Sequence, residues 1–123
     1  MAIPLERGLS DEERAIAEWV LTHATPPALS YLPQLDLARV TGGCKCGCPT
    51  VHLTVPERAP RGEPRDSPIG DVTGTADGKL VGVMLFHNNG LLTSLEVYDL
   101  SDIAHPYDLP AVNTLRPALW NQT

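Results

Sequence analysis

Two apolar runs, Leu80–Phe86 and Leu91–Tyr98, flank Asn88-Asn89-Gly90, and this pattern predicts a β-hairpin over Lys79–Asp99. A two-residue Asn89-Gly90 turn would pair Met84 with Leu95 and Val83 with Glu96. A three-residue loop would pair Val83 with Leu95 and Val81 with Val97, with Gly90 in the left-handed position that suits a residue lacking Cβ. The three-residue loop is preferred because it gathers Val81, Val83, Leu85, Leu95 and Val97 on one face. Gly82, Ser94 and Glu96 then share the other, and a one-residue slip would carry Glu96 to the apolar side.

Upstream, Ser10-Asp11-Glu12-Glu13 is a capping box that opens a helix. Ile16, Trp19, Val20 and His23 follow at the spacing of a buried stripe, which makes Trp19 a core residue and His23 a polar edge to that stripe. Pro26-Pro27 stops the helix. A second short helical segment is expected over Ala28–Leu32, limited by Pro33. From Leu37 to Cys46 the pattern is extended. Thr50–Val55 alternates, with Val51, Leu53 and Val55 on one side and Thr50, His52 and Thr54 on the other. Gly47-Cys48-Pro49 is the turn between these strands. Pro56–Pro68 has four prolines, six charges and no apolar side chain larger than Ala, and reads as a mobile surface loop. Ile69–Ala76 is a further strand, with an Asp77-Gly78 hairpin turn after it. Pro110 can begin a short helix through Leu115, ended by Pro117.

These elements predict an α+β fold in one domain spanning 1–123. One or two N-terminal helices (about 10–33) pack on an antiparallel meander of about five strands (about 37–99), followed by an irregular segment, 100–123. A chain of 123 residues is long enough for a real core. A net charge of −6 argues against nucleic-acid binding, which needs clustered Lys and Arg. No apolar run approaches the ~18–20 residues of a membrane span. The N-terminus also lacks the features of a signal peptide, so a cytoplasmic location is expected.

Three cysteines within five positions do not resemble a secreted disulfide framework. Cys44 and Cys46, two apart on a strand, point to one face with Cα atoms about 6.6 Å apart. Cys48 lies in the turn, and His52 follows on the returning strand. Three thiolates and an imidazole match a Cys₃His zinc site, although ligands in two well-separated pairs would be the usual spacing. The plainer reading is a set of reduced, partly buried thiols in a tight hairpin. A Cys44–Cys46 disulfide would be strained, and Lys45 points away from the thiols it would need to activate.

Four histidines, His23, His52, His87 and His105, are scattered over a helix, two strands and the C-terminal segment. Glu96, Asp99 and Asp102 are near two of them in sequence. The chain has no nucleophile elbow, no H-E-x-x-H and no phosphate-binding loop. No catalytic residue is assigned, and the balance is against an enzyme.

The stretches SDEERAIAEWVL, YLPQLDLARV, CKCGCPTVHLTV and GKLVGVMLFHNNGLLTSLEVYDL, in that order, resemble a family of small bacterial proteins common in actinobacteria and catalogued only as a domain of unknown function. The resemblance covers roughly Leu9 to Pro117, and LTSLEVYDL is its most distinctive part. It implies a small α+β domain and a bacterial source, and it implies no catalytic residues.

The sequence therefore favours a non-catalytic protein-binding domain, of which a toxin-neutralising immunity protein is one form. The partner surface would be the sheet face opposite the helices, where Met84, Phe86, Leu92 and Tyr98 lie among Gly82, Ser94 and Glu96. Met84, Phe86, Glu96 and Tyr98 are the expected contacts. Alternatively the C-terminal segment, with Leu109, Val112, Leu115 and Trp120, folds back over that face. The second functional reading is a small zinc-binding module using Cys44, Cys46, Cys48 and His52. No other cofactor, no nucleic acid and no membrane partner is expected.

Overall fold

The computed structural model describes residues 2–118, with side chains from Glu6 onward. It is an α+β fold: one α-helix and two 3-10 helices accompany a seven-stranded antiparallel sheet, against about five strands expected. In chain order the elements are β1 (Ala2–Gly8), α1 (Asp11–His23), a 3-10 helix (Leu29–Asp36), β2 (Arg39–Cys44), β3 (Val51–Thr54), β4 (Gly70–Ala76), β5 (Lys79–Asn88), β6 (Leu91–Asp99), a 3-10 turn (Val112–Thr114) and β7 (Arg116–Pro117). The order across the sheet is β1-β2-β3-β6-β5-β4-β7. Two local meanders, β1-β2-β3 and β4-β5-β6, are thus joined where β3 meets β6. No helix among the described residues is long and apolar enough to cross a membrane.

Helix α1 begins as its capping box dictates. The Ser10 hydroxyl accepts from the Glu13 amide at 3.1 Å, and the Ser10 amide donates to Glu13 Oε1 at 2.8 Å. Ile16, Ala17, Val20 and Leu21 are buried. Trp19 is half-buried against the core. His23 is exposed and stacks on Trp19 with ring centroids 3.9 Å apart, so it packs beside the stripe rather than bordering the core. The second helical segment is longer than expected. It runs through Pro33 as a 3-10 helix, whose three-residue pitch tolerates the missing amide in so short a stretch.

In the central hairpin the face assignment holds and the loop does not. Val81, Val83, Leu85, Leu95 and Val97 are all buried. Asn88 pairs with Leu91, however, so the turn has two residues, Asn89 at φ 52° and Gly90 at φ 83°. This is the signature of a type I′ turn. The slip that such a turn would cause is undone by a bulge. Phe86 pairs with Ser94 and His87 with Leu92, leaving Thr93 extra. Beyond the bulge Val83 faces Val97 and Met84 faces Glu96. The bulge also turns Leu92 into the core, where it is 1% exposed, instead of leaving it on the opposite face. Asp77 (φ 50°) and Gly78 (φ 75°) form the other expected turn.

The proline-rich segment 56–68 is held down rather than free. The Gly62 amide donates to the Gly90 carbonyl at 2.8 Å, the Tyr31 hydroxyl to the Glu63 carbonyl at 2.8 Å, and Arg65 to the Pro26 carbonyl at 2.8 Å. Buried Gln34 donates to the Pro60 and Gly90 carbonyls and accepts from the Leu92 amide, joining this segment to the hairpin tip. Composition misleads here because backbone groups supply the anchors.

The C-terminal segment packs on the helix side of the sheet. A Cβ on Gly74, a core-side position of β4, would meet Leu115 at 2.8 Å and Pro110 at 3.0 Å. Val112 is exposed, and Trp120 lies outside the described residues. The opposite face thus keeps Met84, Phe86, Glu96 and Tyr98 half-buried.

Candidate metal centre

Strand β2 ends at Cys44, and the chain reverses through Lys45–Cys48 before β3 begins at Val51. Gly47 has φ 96°, a left-handed conformation that lets the turn close. The reversal folds three alternate side chains inward together. The Sγ atoms of Cys44, Cys46 and Cys48 all lie within 4.8 Å of one another. None is in a disulfide; Cys46 is exposed, and Cys44 and Cys48 are half-buried.

Backbone amides serve the sulfurs. The Cys46 amide donates to Cys44 Sγ at 3.4 Å, and the Cys48 amide to Cys46 Sγ at 3.3 Å. Cys44 is held below the ordinary thiol range, first by the Cys46 thiol, then by the Cys46 amide and the Cys48 thiol. Cys46 is pushed up to about 11, first by the Cys44 thiol and then by the Cys48 thiol.

Tyr107 closes one side. Its amide donates to the Gly47 carbonyl at 3.2 Å. Its ring is buried, and its hydroxyl has no hydrogen-bond partner among the described residues. Burial first, then the charges of Cys48, Asp99, Cys46 and Cys44, push its pKa up to about 12. His105 meets the Tyr107 ring edge-on at 4.9 Å. A Cβ on Gly47 would lie 3.2 Å from Pro106 Cα and 3.5 Å from His105 Cβ. A cleft of about 470 Å³ beside the turn is lined by Cys44, Cys48, Arg7, Glu13 and Asp108 among others.

The donor set suits a thiophilic ion. Zn–S bonds of about 2.3 Å in a tetrahedron require sulfurs about 3.8 Å apart, so closure from 4.8 Å or less needs rotation of the side chains and no change of strand pairing.

His52 does not join the triad. It pairs with Gly42 and Ser94 in mid-sheet and is exposed, while its neighbours Val51 and Leu53 are buried on the other side. Its ring nitrogens lie outside the group of donor atoms gathered at the turn, which among the described residues comprises the three sulfurs. His87 is committed elsewhere. Its Nε2 lies 2.8 Å from the Arg65 carbonyl and its Nδ1 accepts from the Gly90 amide at 3.2 Å, which fixes the neutral Nε2–H tautomer.

On the sheet face, Met84 sits directly across from Glu96, Phe86 from Ser94, and Tyr98 from Gly82. Ser94 donates to Glu96 at 3.1 Å, and the Tyr98 hydroxyl to Asp71 at 2.9 Å. Burial and Asp71 push Tyr98 up to about 12. The larger cleft, about 780 Å³, includes Trp19, His23, Pro68, Asp71 and Pro117 in its lining. Its imidazole is bonded to the Trp19 carbonyl at 2.8 Å, and its carboxylate holds Tyr98.

The approach of Tyr107 to the cysteine turn was not legible in the sequence, since 100–109 carries no periodic pattern. No family model matches the chain, and neither a curated protein nor a solved structure matches it.

Proposed function

We propose that this protein is a zinc-binding domain in which Cys44, Cys46 and Cys48 hold the ion as thiolates. The observation that carries the reading is the convergence of three reduced sulfurs within 4.8 Å on a turn whose amides point at sulfur. Zinc favours such soft donors and needs no redox chemistry from the protein. Its role here is structural: it pins the reversal between β2 and β3. Competition with a chromophoric chelator tests this. The reduced chain is expected to withdraw one equivalent of zinc, and Cys46→Ser to lose most of that capacity. Equal competition by both proteins would refute it.

A second reading, a non-catalytic protein-binding surface of the toxin-neutralising kind, rests on a different observation. The C-terminal segment packs on the helix side, so Met84 and Phe86 stay half-exposed among the described residues. Glu96 beside them would set register with a basic partner group. Tyr98 contributes less than its size suggests, because its hydroxyl is bound to Asp71. Loss of a partner captured from the native host on Phe86→Ala, in a folded variant, would support this reading. Retention of every captured partner would count against it.

A further inference from the structure

We infer that His105 is the fourth ligand of the proposed zinc site, so that metal binding closes the loop at 105–107 onto the cysteine turn. This rests on the zinc reading above. Three thiolates leave a tetrahedral ion one donor short. The loop that could supply it is already docked on the turn. Tyr107 is bonded to Gly47, and His105 Cβ is 3.5 Å from the position of a Gly47 Cβ. The ring of His105 is exposed and, among the described residues, its ring contact is the edge contact with Tyr107, so in the proposed closure it rotates about its own side-chain bonds to reach the sulfurs.

Two carboxylates compete for the role. Asp108 lines the same cleft as Cys44 and Cys48, and Asp99 contributes to the field at Tyr107. Charge decides against them. Three thiolates on a divalent ion already leave a net negative centre, and a fourth anion adds repulsion where neutral imidazole adds none. Imidazole also completes a ligand set common in structural zinc sites.

Tyr107 supplies an independent pointer. A buried hydroxyl without a partner is costly, and this one, unpartnered among the described residues, lies in the field of all three sulfurs. Zinc-bound thiolates are permanent acceptors, and in the closed site the Tyr107 O–H donates to one of them, orienting the ligand it touches.

Cobalt(II) substitution of the reduced full-length chain tests the assignment. Wild type is expected to show sulfur-to-cobalt charge transfer together with the intense d–d bands of a four-coordinate tetrahedral site. His105→Ala should keep the charge transfer, weaken and shift the d–d bands, and lower zinc affinity by about 100-fold or more, above the range for loss of a group that only orients a ligand. His105→Cys should restore tetrahedral bands with added charge-transfer intensity, and it decides the matter if His105→Ala does not fold. Identical spectra and affinities for wild type and both variants would overturn His105 as a ligand while leaving the zinc reading intact. A change confined to Asp108→Asn would overturn it in favour of the carboxylate. No cobalt or zinc bound by wild type would remove the zinc reading itself.

Discussion

The Tyr107 amide donates to the Gly47 carbonyl at 3.2 Å, and this one bond ties the segment after β6 to the turn between β2 and β3, some sixty residues earlier. It places a buried phenol, unpartnered among the described residues, in the field of three thiols. In chelator-treated, reduced protein, Tyr107→Phe removes a polar group that has no partner among the described residues. It should be neutral or stabilising by up to about 1 kcal/mol in urea denaturation. With zinc bound the same change should lower stability, because a donor to thiolate is lost. Destabilisation of equal size in both forms would show that the hydroxyl is satisfied without metal.

Gly90 carries three demands at once. It has φ 83°, its carbonyl accepts from Gln34 at 2.6 Å and from Gly62 at 2.8 Å, and a Cβ would sit 2.8 Å from the Gly62 carbonyl oxygen. Gly90→Val should therefore destabilise the domain by about 2 kcal/mol or more, since backbone strain and a backbone clash combine. The midpoint of a denaturant melt measures it, and an unchanged midpoint would contradict the turn geometry.

Glu13 makes stability depend on acid. Burial pushes its carboxyl up, but Arg7, bonded at 2.8 and 2.9 Å, together with the Ser10 amide and hydroxyl brings it below its ordinary value. The folded protein therefore binds this proton more weakly than the unfolded chain. The stabilisation is fully present above the ordinary glutamate range near pH of about 4.3, and is lost as pH falls through the lowered folded value. Denaturant melts from pH 7 downward, in wild type and Glu13→Gln, should show a steeper acid loss in wild type. Parallel curves would mean that the Arg7 contact does not shift the carboxyl.

Much of the fold could be read from residue order, and the failures share a cause. The capping box at Ser10 and the buried face of Val81, Val83, Leu85, Leu95 and Val97 follow from local periodicity, which the structure keeps. The hairpin loop was misjudged because the bulge at Thr93 serves the burial of Leu91 and Leu92, a tertiary demand invisible in the turn residues. Strand β1 escaped notice because Pro4, Glu6 and Arg7 break alternation, and its partner β2 is more than thirty residues away. The cysteine triad stood out in sequence. The absence of His52 from the triad was not legible, because it depends on how the turn places the sulfurs, and the approach of His105 depended on a loop with no pattern of its own.

The central claim is that the three thiols hold zinc, and the metal content of the purified chain tests it most directly. Protein expressed without added metal and kept reduced should carry about one zinc per chain by elemental analysis. Its melting temperature should fall on chelation, and its thiols should react slowly until the metal is removed. Protein that contains no metal, with all three thiols freely titratable in the native state, would contradict the account.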